Sequence, residues 1–346
     1  MKIGSREIGP GHPPYVIAEI GVNHDGEVAR ALELTRAAAE AGADAVKLQY
    51  FETDRLLSKA AKLAAYQKAA GETDPVEMLR RLELSLDEMA RVVDLAHELG
   101  IHAIVTVFSL ELVKPASELA WDAYKSASPD VINRPLLEAL AATGKPLIVS
   151  TGASTLDEVV RAVGWLEAIR ERLAVLQCVS CYPAPEEALG GIGVIGEAVR
   201  VVTGYSDHTP DVESGRRAVE SGASILEKHL TYCCAASGPD HRASLEPGPF
   251  SGYVGALPDR CEARGGGVAG APGKRVLACE RDVREVARQS LTTTRGLSPG
   301  ETITRADLTV KRPGAGIEPF RLDEVIGQRL AQSVEADTPL VEDDLA

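Results

Sequence analysis

The chain has 346 residues, 51 Asp and Glu against 37 Lys and Arg, and a formal net charge of -14. That acidic balance excludes a bulk electrostatic grip on nucleic acid or an anionic membrane, so an anionic ligand must be met by local lysines. No apolar run approaches the ~20 residues of a membrane span, and the opening MKIGSREIGPGHPP lacks a signal peptide's apolar centre, so a cytoplasmic protein is expected.

In chain order, eight short apolar runs carry the architecture: 15–20, 44–49, 101–107, 121–125, 146–150, 173–179, 201–205 and 224–229. Helical patterns mostly separate them. One spans 27–41, another opens at the capping box Ser85-Leu-Asp-Glu88 and runs to Leu99, and a third opens at Ser154 and runs to about Arg170. Strand then helix, repeated, predicts a parallel sheet closed as a (β/α)8 TIM barrel, about 250 residues long.

The runs end in polar residues: Glu19, Lys47 with Gln49, Thr106, Lys125, Ser150, Ser180, Asp207 with His208, and Glu227 with Lys228 and His229. Active sites of such barrels are assembled on the C-terminal rim, which is where these residues fall. The stretch 51–84 is long for a connection and reads as a lid with short helices near 60–70 and 75–81.

Six cysteines, at 178, 181, 233, 234, 261 and 279, form no regular framework. Cys178-Val-Ser-Cys181 has redox-motif spacing but ends a strand, and adjacent Cys233 and Cys234 would chelate poorly. Buried or rim thiols in a reducing compartment are expected rather than a zinc site.

An eighth barrel helix is expected in 251–273, yet that stretch is rich in glycine with no sustained apolar period, predicting a short, frayed helix or a local sequence error. GGGVAGAPG at 265–273 reads as a linker. Beyond it, turns at 296–303 and 311–316 and a short helix at 322–330 describe a small β-rich domain. The expected division is a barrel over 1–262, a linker over 263–279 and the small domain over 280–346.

Several separated motifs carry a resemblance. Glu19-Ile-Gly-Val-Asn-His24 with Gly26, Lys47-Leu-Gln49, Ser150-Thr-Gly152, Cys178 with Ser180, Tyr182-Pro183 and Pro185, Gly204-Tyr-Ser-Asp-His208, Glu227-Lys-His229, and Gly238-Pro-Asp-His241 with Ser244-Leu-Glu-Pro247 closely resemble the sialic acid synthase family. Lys311-Arg-Pro-Gly314 resembles that family's C-terminal antifreeze-protein-like, or SAF, domain. The resemblance implies a TIM barrel followed by a SAF domain. It implies a transferase that condenses phosphoenolpyruvate with an N-acylated amino-sugar aldose to a nine-carbon 2-keto acid.

What that chemistry asks for is present. His208 and His229, ending adjacent strands, are the expected neutral ligands of a divalent metal acting as a Lewis acid, and so open a site suits Mn²⁺ or Mg²⁺. Lys47, which interrupts an apolar strand, would face Lys125 across the rim. Thr106, Ser128, Ser150, Ser180 and Ser206 would complete the phosphoenolpyruvate cradle, with Gln49 as a wall. From the resemblance, Glu19 orients the sugar or a water, Asp240 does the same from the last rim loop, and either acts as a proton carrier with Lys125 in the catalytic group. Phe108 and Tyr182 wall the sugar, and Arg312 contacts its N-acyl group over the neighbouring subunit's barrel in a homodimer. Asn23 and His24 either close the first loop or join the site.

The departures from that family are Lys125-Ser-Ala-Ser-Pro129, Val107 between Thr106 and Phe108, Ala315, and Tyr232-Cys-Cys234 in place of an acidic and basic pair. Two other readings remain: a Schiff-base sugar aldolase using Lys125 or Lys228, and a decayed sugar-binding barrel. No residue singles out N-acetylmannosamine, its 6-phosphate or a diacetamido-trideoxyhexose as acceptor.

Overall fold

The structure is a computed structural model that describes residues 1–184, 189–262 and 273–346. Pro185 of the resemblance motifs and residues 263–272 of the proposed linker lie outside these residues. A hairpin of β1 (Lys2–Ile3) and β2 (Arg6–Glu7) precedes the barrel. The barrel strands are β3 (Tyr15–Glu19), β4 (Ala45–Tyr50), β5 (His102–Val107), β6 (Ala123–Ser126), β7 (Leu147–Ser150), β8 (Leu173–Cys178), β9 (Val202–Asp207) and β10 (Ile225–His229). All eight pair in parallel and close in the order β10-β3-β4-β5-β6-β7-β8-β9.

Strand side chains alternate between faces with a period of two, and each strand uses that alternation in the same way. At the N-terminal end of the barrel, Tyr15, Ile17, Ala45, Ile104, Ala123, Ile148, Ala174, Leu176 and Ile225 fill the interior, with Ile3 and Ile8 of the hairpin beneath. Further along the same inward faces come Glu19, Lys47, Gln49, Thr106, Lys125, Ser150, Cys178, Ser206, Glu227 and His229. Outward residues such as Val46, Leu48, Val105 and Leu226 join the covering helices in the main core. The barrel is therefore packed dry below and polar above.

The eighth helix is present and short: Pro247–Gly255 is helical with proline in the first turn, so it begins ahead of the expected stretch and ends at its fifth residue. Phe250 and Tyr253 are fully buried, and a Cβ on Gly215 would come within 2.4 Å of the Tyr253 ring. Burial of two aromatic rings outweighs an unfavourable propensity of ~1 kcal/mol per glycine.

The C-terminal domain pairs β11 (Ser290–Thr293) with β12 (Leu308–Lys311) antiparallel over its own apolar cluster around Leu291, Leu308, Val325 and Leu340. Its predicted helix is only Leu322–Val325. Helix Arg281–Ala287 joins it to the barrel rim. Arg284 donates to Glu158 Oε1 at 2.7 Å and to Ala153 O at 2.6 Å. Arg288 reaches Glu158 Oε2 at 3.1 Å.

Burial alone would raise the Glu158 carboxyl, but the Arg284 hydrogen bond, the Arg288 charge and the Thr155 N–H pull it down to about 2. A carboxyl depressed on folding contributes stability above its ordinary value near 4.5, and that contribution is lost as pH falls through about 2. Glu158→Ala leaves two guanidinium groups facing an empty place and is expected to lower stability by about 3 kcal/mol at neutral pH. Denaturant titration should show the deficit shrinking below pH 4.5; equal midpoints at pH 7 would show that this clasp holds nothing.

Candidate active site

The polar ends of the strands gather around one cavity of about 140 Å³ at the C-terminal rim. Lys47, Gln49, Thr106, Phe108, Lys125, Ser128, Ser150, Ser180, Tyr182, Ser206, His208, His229, Asp240 and Arg312 all line it, joined by Cys178 and Glu227. Of the fifteen sequence-predicted site residues only Glu19 stands outside the lining. It lies fully buried beneath Lys47 and pairs with its ammonium. Gln49 Nε2 donates to Glu19 Oε1 at 3.3 Å and to Gly21 O at 2.6 Å. Glu19 is thus held between Lys47 and Gln49 from beneath the cavity.

Both lysines converge on Glu227. Lys125 Nζ stands 3.3 Å from Glu227 Oε1 and Lys47 Nζ 3.5 Å from Oε2. Lys47 also donates to Thr106 Oγ1 at 3.1 Å, and Ser206 Oγ donates to Glu227 at 2.9 Å. Burial opposes ionisation of Glu227, yet the charges of Lys125 and Lys47 and the Ser206 hydroxyl hold its carboxyl at about 2. Sequence reasoning noted Glu227 only as a neighbour of His229. Counting back two residues from that inward-facing histidine would have placed it in the site.

The hydroxyls close in from the other side. Gly152 N–H donates to Ser128 Oγ at 2.9 Å. A Cβ at Gly152 would sit 2.2 Å from Ser180 Oγ and 3.1 Å from Cys178 Sγ, so glycine is what lets these groups approach. Glu280, unforeseen because it lies just beyond the linker, accepts the backbone N–H groups of Ala153 and Ser180 at 2.6 and 2.8 Å and fixes both rim loops.

His208 and His229 face each other with ring centroids 5.3 Å apart. The Nδ1 of His208 lies 2.7 Å from Val179 O, which assigns the proton to Nδ1 and leaves the Nε2 lone pair for a ligand. His229 is kept neutral: burial, then the charges of His208 and Lys47, push its pKa well below the usual range. Its Nδ1 is buried without a hydrogen-bond partner and faces Asp240 Oδ2 at 3.7 Å. This donor set fits a divalent cation with open coordination positions. Among the described residues no group of three or more His, Cys, Asp or Glu is gathered as a metal cluster, so ligation would rest on the two imidazoles.

Tyr182 stacks on His208 at 4.1 Å and meets Tyr66 of the lid at 4.8 Å. Arg312 lies over the Phe108 ring, its Cζ 5.5 Å from the centroid. Its backbone N–H donates to Leu56 O at 2.9 Å, and its carbonyl accepts from Ser58 N at 3.0 Å. Within the single chain Arg312 therefore lies at the rim of the barrel that precedes it. Asp130, fully buried, faces Arg312 and Lys125, and burial raises its carboxyl to about 7.

Other residues turn away from the cavity. Lys228 lies on the opposite face of β10, 3.0 Å from Asp207 Oδ2 and 5.3 Å from the Tyr253 ring, which removes it as an aldolase nucleophile. Asp207 accepts from Thr209 N at 2.9 Å and Ser214 Oγ at 2.5 Å and is structural too. Asn23 donates to Leu230 O at 3.0 Å and Ser244 Oγ at 2.8 Å, and His24 accepts from Gly26 N at 3.0 Å, so both close the first loop. All six cysteines are free.

The NeuB family profile matches residues 34–269 and the SAF domain profile residues 288–346. The N,N'-diacetyllegionaminic acid synthase of Legionella pneumophila is 35% identical over 94% of this chain and 93% of its own length. The N-acetylneuraminate-9-phosphate synthase of Mus musculus is 32% identical over 98% of this chain and 94% of its own. Among solved structures, the spore coat polysaccharide biosynthesis protein SpsE of Bacillus subtilis superposes with a TM-score of 0.81 at 28% identity, over 100% of this chain and 99% of that one.

Proposed function

The chain belongs to the NeuB family, and we propose that it condenses phosphoenolpyruvate with an N-acylated amino-sugar aldose to a nonulosonic acid, releasing phosphate. The observation that carries this reading is the convergence of Lys47 and Lys125 on Glu227 at one rim, with Thr106 on Lys47 and Ser206 on Glu227, beside two histidines 5.3 Å apart. Lysines buried in an acidic protein are held ready for an anion carrying both phosphate and carboxylate.

In the reaction, C3 of phosphoenolpyruvate attacks the aldehyde carbon of the sugar. Water adds at C2, and phosphate then leaves with cleavage of the C2–O bond. A divalent metal held by His208 and His229 would supply Lewis-acid polarisation of the aldehyde oxygen. Lys47, Lys125, Thr106, Ser128, Ser150, Ser180 and Ser206 bind and orient phosphoenolpyruvate, with Gln49 as a wall. Glu19 holds Lys47 in place. Asp240, whose carboxyl burial raises to about 6 against the charge of His208, stands where a proton must be held or moved near the sugar. Phe108, Tyr182 and Arg312 contact the acceptor, Arg312 at its N-acyl group.

We also propose a division into barrel (1–262), linker (263–279) and SAF domain (280–346), and a homodimer whose SAF domains change places. Such an exchange keeps every barrel-to-SAF contact and moves it between chains.

Phosphate release from phosphoenolpyruvate in the presence of Mn²⁺ and N-acylated aldoses tests the reaction. Release is expected only with both substrates, to stop with chelator and to return with metal. Borohydride with pyruvate is expected to trap no adduct. Release that survives chelator, or a trapped lysine, would replace this reading by the Schiff-base aldolase.

A further inference from the structure

The lid, residues 51–84, brings Leu56, Tyr66, Gln67, Met78, Leu79 and Leu82 to the cavity. Its apolar side chains pack inward, in one cluster with Val22 and Phe108 of the barrel rim. Its backbone is held from elsewhere. Among the described residues, the hydrogen bonds that leave 56–65 run to the C-terminal domain and to the helix Arg281–Ala287 that joins it to the rim. Leu57 forms a parallel bridge with Arg312, and Ser58 Oγ donates to the Arg312 carbonyl at 2.9 Å. Two carboxylates then each take a lid backbone N–H. Asp337 Oδ2 accepts from Lys59 at 2.8 Å, and Asp282 Oδ2 accepts from Ala65 at 2.6 Å.

Asp337 is itself held on the C-terminal domain in an uncommon conformation. Its φ of +57° lies in the left-handed region, which costs a residue other than glycine. Its backbone N–H donates to Thr293 O at 2.9 Å, and its Oδ1 accepts from Lys311 Nζ at 2.8 Å, which leaves Oδ2 for the lid. The Lys59 ammonium also meets Glu335 at 2.6 Å, but both side chains are exposed and such a pair holds little. A backbone N–H given to a carboxylate is the firmer hold. Because Lys311 precedes Arg312, one carboxylate ties the lid to the strand end that presents the arginine.

The next residue after Ala65 is Tyr66, whose ring meets Tyr182 at 4.8 Å, and Tyr182 stacks on His208 at 4.1 Å. Lys47, Thr106, Lys125 and Ser206 come instead from barrel strands, which owe nothing to the lid. Resting on the condensation proposed above, we infer that Asp337 and Asp282 are positioning residues: they set the lid backbone so that Tyr66 and its neighbours close on the acceptor, and phosphoenolpyruvate binding is left to the barrel.

Asp337→Gly suits the left-handed backbone and removes only the carboxylate, so the variant is expected to fold. Hydrogen exchange of the Lys59 amide should quicken about tenfold, as the loss of one charge-assisted hydrogen bond allows. With Mn²⁺ and whichever of N-acetylmannosamine and the 2,4-diacetamido-2,4,6-trideoxyhexoses is turned over, KM for the aldose should rise on the order of tenfold. kcat should change little, and phosphoenolpyruvate affinity by calorimetry should not change. Asp282→Ala should do the same with the Ala65 amide, and Glu335→Ala should leave both amides and the KM as they are. Unchanged exchange, or faster exchange with an unaltered aldose KM, overturns the inference. So does an equal loss of phosphoenolpyruvate affinity, which would mean that the whole rim had loosened, or an equal effect of Glu335→Ala. No phosphate release by the unaltered protein with any aldose overturns the condensation instead, and the hold on the lid is then judged by exchange alone, which needs no substrate.

Discussion

His208→Ala and His229→Ala are each expected to abolish synthase turnover, by on the order of a thousandfold or more, while the barrel stays folded. The cause lies in how the rings are held. His208 commits Nδ1 to the Val179 carbonyl at 2.7 Å, so its remaining nitrogen has no structural use in the fold. His229 is buried and neutral, with no hydrogen-bond partner at Nδ1. Removing either leaves one protein ligand, too few to hold a weakly bound divalent ion. Calorimetric Mn²⁺ titration should show lost affinity in both variants beside a wild-type circular dichroism spectrum. Unchanged affinity in both would sink the assignment.

The same His229→Ala chain reports on the proposed exchange of SAF domains. Refolded with Arg312→Ala chains, random equal mixing restores roughly a quarter of the wild-type activity if Arg312 serves the partner's barrel, because each mixed dimer then holds one intact site. No recovery despite subunit exchange would assign Arg312 to its own barrel, as in the single chain.

Lys47→Met is the second large effect. If Lys47 meets charge that develops on phosphoenolpyruvate in this dry site, its loss costs about 2–4 kcal/mol of transition-state stabilisation, or roughly 30- to 1000-fold in kcat/KM. Full turnover with unaltered affinity for phosphoenolpyruvate would rule out the cradle.

The substitution also has a pH signature in stability. Burial raises the Glu19 carboxyl to about 7, with the Lys47 charge pulling it down and the Glu227 charge pushing it up. A carboxyl raised on folding stabilises the protein below its unfolded value and loses that contribution as pH rises through the folded one. Without Lys47 the Glu19 carboxyl rises further. The variant should therefore melt closer to the wild type at pH 5 than at pH 8, and the reverse order would remove Lys47 as the counter-charge of Glu19.

Much of this was legible in the chain itself. The eight apolar runs fall within a few residues of the eight observed barrel strands. Once parallel strands close into a barrel, every strand ends on the same rim, so the inward-facing polar residues near the ends of the runs are delivered to the site. Lys47, Gln49, Thr106, Lys125, Ser150, Ser206 and His229 line the cavity for that reason, whereas Ser128, Tyr182 and Asp240 reach it from loops and Arg312 from the C-terminal domain. A small β-rich tail is likewise legible in its turns, and its SAF character in the resemblance of Lys311-Arg-Pro-Gly314, although its helix is only Leu322–Val325.

Tertiary structure alone decided the rest. Glu227 pairs with Lys47 and Lys125, far removed in sequence, and no local pattern states that their charges meet. Glu19 and Glu280 act beneath or behind the cavity, where their partners are supplied by other strands and by backbone N–H groups. The helix Pro247–Gly255 forms against its composition because Phe250 and Tyr253 find a buried seat beside Gly215. Local sequence governs strand, turn and the face on which a side chain stands, since those depend on near neighbours. Which charges pair and which ring is buried depend on closure of the barrel, which brings together groups that the chain holds apart.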